Sequence, residues 1–132
     1  MGKETYKSYN DINRNLIDDI KWFKTLPLIL TFENLQNKEG LKLLVSHAFA
    51  LSHLTIDENN PITRKRILWS RTVPHDSVRY NTGYFNVFRH TSINQNITIT
   101  TELANVDTGC SKKGRLAALY FPSRECVYSD EM

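Results

Sequence analysis

Apolar residues recur along residues 10–25 at the spacing of a helix. Ile12, Leu16, Ile20 and Phe23 follow one another at intervals of four, four and three, with Ile17 on the same flank, so one stripe of the helix is apolar. Asn10 or Asp11 can cap its start, and Pro27 forbids much continuation. Beyond it the period shortens. Residues 28–32 form a short apolar run of strand type, 33–40 are polar and turn-like, and 41–45 are nearly all apolar, as in a strand covered on both faces. Residues 48–54 read as a loop or a single helical turn, 57–63 as a polar loop containing proline, and 67–69 as the start of a short ordered segment before a loop through Pro74 to Gly83.

After Gly83 the pattern is that of β structure. Residues 84–88 predict a strand and 94–96 a turn, while Ile97 and Ile99 alternate with Thr98 and Thr100 as in a half-exposed strand. Residues 105–109 read as a strand running into a turn, Lys113-Gly114 as a second turn, and 115–121 as an apolar strand ended by Pro122. There is no internal repeat. One helix, two strands, a long irregular middle and three or four more strands make an α+β chain, closer to the second half of a mixed sandwich than to a closed domain.

Composition narrows the reading. With 132 residues, 40% hydrophobic and 11% aromatic, the chain can bury a core and amounts to one domain or part of one. A net charge of +3 is too mild to argue for nucleic acid or an anionic membrane as partner. The densest basic run, Arg64-Lys65-Arg66, leads into apolar Ile67-Leu68-Trp69 and reads as a solvated segment before a buried one. Cys110 and Cys126 are too few for a disulfide framework, so two free thiols in a reducing compartment are expected. No signal-type start and no apolar run of about 20 residues occurs, so a soluble cytoplasmic protein is expected.

The candidate chemistry sits at strand ends. His47 closes the run Leu41-Lys42-Leu43-Leu44-Val45-Ser46, and His90 closes Tyr84-Phe85-Asn86-Val87-Phe88-Arg89. Each follows a predicted strand, where α/β sheets present reactive groups. Taken alone, such a histidine reads first as a hydrogen-bonded core residue. His53 and His75 fall in predicted loops and read as surface residues, as do the carboxylates Asp57, Glu58 and Asp76. Asp18-Asp19 lie in the helix, and Arg71 beside Trp69 is either a stacked pair or a free cation. Cys110 follows a glycine turn and shows no activating neighbour.

Several phrases together resemble the C-terminal half of the calcineurin-like metallophosphoesterases, in the branch of the bacterial and phage serine/threonine protein phosphatases. Gly2-Lys3-Glu4-Thr5-Tyr6-Lys7-Ser8-Tyr9 is similar to that family's Gly-Gly-x-x-Thr-x-x-Ser-Tyr stretch, and the helix with Leu26-Pro27-Leu28 to its helix and Leu-Pro turn. Val45-Ser46-His47-Ala48 resembles Val-His-Ala, Leu68-Trp69-Ser70-Arg71 resembles Leu-Trp-x-Arg, and Asn86-Val87-Phe88-Arg89-His90-Thr91 resembles Val-Phe-Gly-His-Thr. Asn105-Val106-Asp107-Thr108-Gly109-Cys110 and Gly114-Arg115-Leu116-Ala117-Ala118-Leu119 are similar to its Asn-Ile-Asp-Thr-Gly-Cys and Gly-x-Leu-x-x-Leu close.

The resemblance implies a two-metal phosphoesterase fold, a partial α/β sandwich in which residues 1–132 form the C-terminal portion, with a mixed sheet and one N-terminal helix. It implies that His47 and His90 are imidazole ligands of one divalent ion, manganese first, with iron or zinc as alternatives. It implies that Arg71 faces the phosphate and that Asp107 and Thr108 brace a turn. The implied substrate is a phosphorylated protein or a small phosphoester. Two departures qualify this. The motifs Gly-Asp-x-His-Gly, Gly-Asp-x-x-Asp-Arg-Gly and Gly-Asn-His-Glu, which carry the other ligands, do not occur in these residues, and Arg89 replaces a glycine. The chain by itself is therefore expected to be inactive and to hold metal poorly or not at all unless an N-terminal half completes it. The alternative is a non-catalytic remnant serving as an interaction or structural module. Sheet edges left uncovered would favour self-association; no nucleic acid and no membrane are expected as partners.

Overall fold

The computed structural model describes residues 7–9, 15–53, 60–71, 78–93, 95–112 and 114–129. Residues 7–9 are helical, and the first longer helix, α1, spans Leu16–Thr25. Its cap is Asn15, whose side-chain oxygen accepts from the backbone N–H of Ile17 and Asp18, meeting two of the donors a helix start leaves unpaired. Asn10, Asp11 and Ile12 lie outside the described residues. At the other end Leu26 turns extended ahead of Pro27, the conformation proline imposes on its predecessor.

Five strands form one mixed sheet: β1 (Ile29–Gln36), β2 (Lys42–Ser46), β3 (Tyr84–Phe88), β4 (Thr98–Ile99) and β5 (Leu103–Asn105), in the order β1-β2-β3-β5-β4. β1 and β2 are an antiparallel hairpin, β2, β3 and β5 run parallel, and β4 returns antiparallel to β5. Helix α2 (Pro61–Trp69) lies in the crossover between β2 and β3. β6 (Ala117–Leu119) and β7 (Cys126–Tyr128) make a separate antiparallel ribbon.

The mixed α+β architecture with a mixed sheet agrees with the sequence reading, but a single N-terminal helix does not. α2 occupies residues expected to be loop and short ordered segment. Asn60 caps it by accepting the N–H of Ile62, Pro61 takes the first turn where its missing N–H costs nothing, and Ser70 closes it through a bond to the Arg66 carbonyl. Only Thr63 and Ile67 of this helix are buried, one turn apart, so it lacks the apolar stripe that the sequence criterion requires. β1 is longer than expected because residues 33–36 continue the edge strand through an irregular register, with the Glu33 carboxylate pairing across strands to Lys42 and to the Tyr84 hydroxyl. β7 was not foreseen; it is a three-residue strand without alternation.

The core lies over the parallel strands. Phe49, Leu51, Phe88 and Leu103 form one buried cluster against Tyr80 and Tyr84, and Leu44, Phe85 and Ile67 are each fully buried. The other side of the molecule is uncovered. No described residue of α1 is buried, Ile17, Trp22 and Phe23 are more than half exposed, and on β1 every residue after Ile29 is exposed, including Leu30, Phe32 and Leu35.

Candidate functional site

Three parallel strands deliver three side chains to one end of the sheet. His47 follows the last residue of β2, His90 comes two residues after β3, and Asp107 two residues after β5. The backbone ladder continues just past the strands and holds these ends together. Arg89 N–H donates to the His47 carbonyl at 3.1 Å, and Val106 N–H to the Phe88 carbonyl at 2.8 Å.

The two histidines meet. His47 Nε2 lies 3.0 Å from His90 Nδ1, and the ring centroids are 4.7 Å apart. His90 is placed by its backbone: φ is +87°, in the region that non-glycine residues rarely occupy, and its N–H donates to Asp107 Oδ2 at 3.1 Å. The other oxygen of Asp107 accepts the Gly109 N–H at 3.0 Å, and Asn105 Oδ1 accepts the Asp107 N–H. Asp107 is thus engaged in shaping the two turns. Its carboxylate is a clamp on backbone donors. The left-handed φ falls on His90 and not on the exposed Arg89 before it, so Arg89 meets no backbone conflict.

Trp69, at the end of α2, sets its ring edge-on to His90 at 5.7 Å and 85° while remaining 65% exposed. His90 Nε2 is buried and has no hydrogen-bond partner. Withdrawal from water pushes the pKa of His47 below the ordinary histidine value, and its neighbours His90 and Arg89 act in the same direction, against the Asp107 carboxylate. His47 Nε2 and His90 Nδ1 stand at hydrogen-bonding distance, one ring as donor and the other as acceptor.

Beneath the histidines lies a residue that sequence reasoning quoted but did not single out. Asn86 on β3 is fully buried. Its Oδ1 accepts the Ala50 N–H at 3.0 Å, and its Nδ2 donates to Ser46 Oγ at 2.9 Å and to the Val87 carbonyl at 3.2 Å. Ser46 Oγ in turn donates to the Ala48 carbonyl at 2.7 Å. The turn that carries His47 is therefore pinned on both sides. A lone asparagine in an otherwise apolar strand was the available signal, since a buried amide must find partners.

Arg71 follows α2 and is exposed; among the described residues no hydrogen bond, ion pair or ring contact joins it to the histidines or stacks it on Trp69. Cys110 and Cys126 are free thiols. Asp18 and Asp19 sit in the first turn of α1, with Asp18 paired to Lys21 and Asp19 accepting from the Tyr9 hydroxyl. His75, Asp57, Glu58, Asp76 and the side chain of His53 lie outside the described residues. Among the described residues no group of three or more histidine, cysteine or carboxylate side chains could hold a metal ion. A cleft of about 740 Å³ runs from Phe23, Leu26 and Leu30 on the uncovered side to Val45 and His47. No helix among the described residues is long and apolar enough to cross a membrane.

Comparison with protein-family models, with curated proteins and with solved structures finds no match.

Proposed function

We propose that this chain supplies the two nitrogen donors of a divalent-metal centre that hydrolyses phosphoesters, and that the oxygen donors come from outside these 132 residues. The observation that carries the reading is the 3.0 Å approach of His47 Nε2 to His90 Nδ1. Two donors about 2.1 Å from one ion and at a right angle to each other are about 3.0 Å apart, so the separation fits neighbouring ligands of a six-coordinate ion. The depressed pKa of His47 disfavours its charged form, and with the proton of His90 on its buried Nε2 an ion between the rings would meet a lone pair on Nδ1. Imidazole donors suit manganese, iron or zinc. A bound divalent ion would supply Lewis-acid polarisation of the phosphoryl oxygens and a more acidic water.

The resemblance of Val45-Ser46-His47-Ala48, Leu68-Trp69-Ser70-Arg71 and Asn86-Val87-Phe88-Arg89-His90-Thr91 to the metallophosphoesterase motifs supports the same chemistry. Under this reading Arg71, exposed at the end of α2, is the cation offered to the phosphate of a phosphorylated protein or a small phosphoester. Two histidines leave the charge of a dication uncompensated, so the isolated chain binds metal weakly and turns nothing over. A second reading, a non-catalytic interaction or structural module, is favoured by the engagement of Asp107 with backbone donors and by the lack of a third ligand among the described residues.

Calorimetric titration of the purified chain with Mn²⁺ and Zn²⁺ tests the first reading, with hydrolysis of an aryl phosphate measured alongside. Weak binding lost in both His47→Ala and His90→Ala supports it. Binding indifferent to both substitutions sinks the nitrogen-donor assignment, and turnover by the homogeneous chain sinks the claim that donors come from elsewhere.

A further inference from the structure

We propose that the second large cleft of the molecule binds an aromatic ring carrying phosphate. The cleft encloses about 770 Å³ between α2 and the segments at Phe49 and Tyr80. That is within the range of about 300–1,000 Å³ typical of small-ligand sites. Among the described residues three aromatic rings and two cations line it, Phe49, Trp69 and Tyr80 with Lys65 and Arg66, and no carboxylate does.

Trp69 and the two cations keep much of their surface open to solvent. Phe49 and Tyr80 pack at 5.1 Å and form a fixed wall rooted in the core through Phe49 against Phe88 at 5.5 Å. Trp69 lines the same cleft with 65% of its surface open, area that a stacked ring would cover. Lys65 and Arg66 are exposed, neither makes an ion pair with a described residue, and α2 itself contains no acidic side chain to offset them. A guanidinium fork and an ammonium that both line the cleft can each meet phosphate oxygens. An aliphatic phosphate would answer the cations and leave the rings in water; an uncharged ring would do the reverse. A ring with phosphate attached answers both, and it can come from a nucleotide or from an aryl phosphomonoester.

The experiment is isothermal titration of the purified chain, without added metal, with AMP, phosphotyrosine and phosphoserine. The expected result is binding of AMP, phosphotyrosine or both about tenfold or more tighter than phosphoserine, and a loss of about tenfold in Lys65→Glu/Arg66→Glu. AMP alone identifies the nucleotide as the source, and phosphotyrosine alone the aryl ester. Equal affinity for phosphoserine, no binding of either aromatic ligand, or no loss in the charge-reversed variant overturns the proposal. Should that variant misfold, Lys65→Gln and Arg66→Gln singly are expected to weaken binding while leaving the far-UV circular dichroism unchanged. Since binding needs neither metal nor hydrolysis, metal uptake without aromatic-phosphate binding sinks this proposal alone, and the converse sinks only the phosphoester reading.

Discussion

Replacing Asn86 by alanine removes the amide on which the His47 turn rests. Ala50 is fully buried, and its N–H has Asn86 Oδ1 as partner at 3.0 Å. Once the amide is gone that donor stays buried and unpaired, a cost of about 1–3 kcal/mol. The bonds from Nδ2 to Ser46 Oγ and the Val87 carbonyl disappear as well. Ser46 keeps its own bond to the Ala48 carbonyl, so the damage on that side is smaller. Counting about 0.5–1.5 kcal/mol for those bonds together and a little for the small void, the loss comes to about 2–4 kcal/mol. In a chain of this size that lowers Tm by about 10 °C.

Urea unfolding followed by far-UV circular dichroism measures the loss, with Gln95→Ala, an exposed position, as a control expected within about 0.5 kcal/mol of the parent. Because Asn86 grips both flanks of His47, the same substitution should also loosen the histidine pair, read as broadening or shift of the His47 and His90 ring resonances. An Asn86→Ala protein within about 0.5 kcal/mol of the parent, with unmoved ring signals, would refute the argument that this amide positions the site.

Three further outcomes follow from the same geometry. The folded-state pKa of His47 is depressed, so the unfolded chain binds the proton more readily; stability from this group is present above about pH 6.5 and lost as the pH falls through the folded-state pKa. His47→Gln should flatten that acid limb of a Tm-against-pH curve, and an unchanged limb would show that another group drives it. A Cβ on Gly114 would come within 2.1 Å of the Thr108 carbonyl oxygen and 2.6 Å of the Gly109 carbonyl carbon, both backbone atoms, so Gly114→Ala should cost about 2 kcal/mol or more in a denaturant titration. The uncovered β1 edge and the exposed Leu30, Phe32 and Leu35 should make the chain associate as its concentration rises, and Phe32→Lys should reduce this in sedimentation velocity; a stable monomer throughout would contradict it.

The sequence made the strands legible where apolar residues dominate. Residues 84–88 coincide with β3, and 41–45 fall within one residue of β2, because strands flanked by neighbours on both sides are mostly apolar. The same rule fails at the rim: Glu33 and Asn34 look like turn residues, yet they extend β1, whose open side lets polar side chains reach water. α2 was hidden for the complementary reason. It buries only Thr63 and Ile67, so its signature is in its caps, Asn60 and Pro61, and an asparagine–proline pair reads as a loop when no periodicity follows it. At the candidate site the histidines were legible from their places at strand ends, while their 3.0 Å approach, the role of Asn86 and the contact of Trp69 on His90 depend on which strands run side by side.

That strand order also explains why the pair is nitrogen-only. Of the three parallel strands, β2 and β3 are neighbours and β5 lies beyond β3, so among the described residues the carboxylate that follows β5, Asp107, comes up on the far side of His90. There it meets the N–H groups of His90 and Gly109 and is consumed by them. The side of His47 away from β3 faces β1 and the cleft lined by Phe23, Leu26 and Leu30, where the lining residues include cations, Lys24 and Arg64, but no acid. If the proposed metal centre forms, a partner that brings oxygen donors across this apolar, uncovered side would also bury the exposed faces of α1 and β1, so that metal affinity and concealment of Trp22 and Phe23 would rise together.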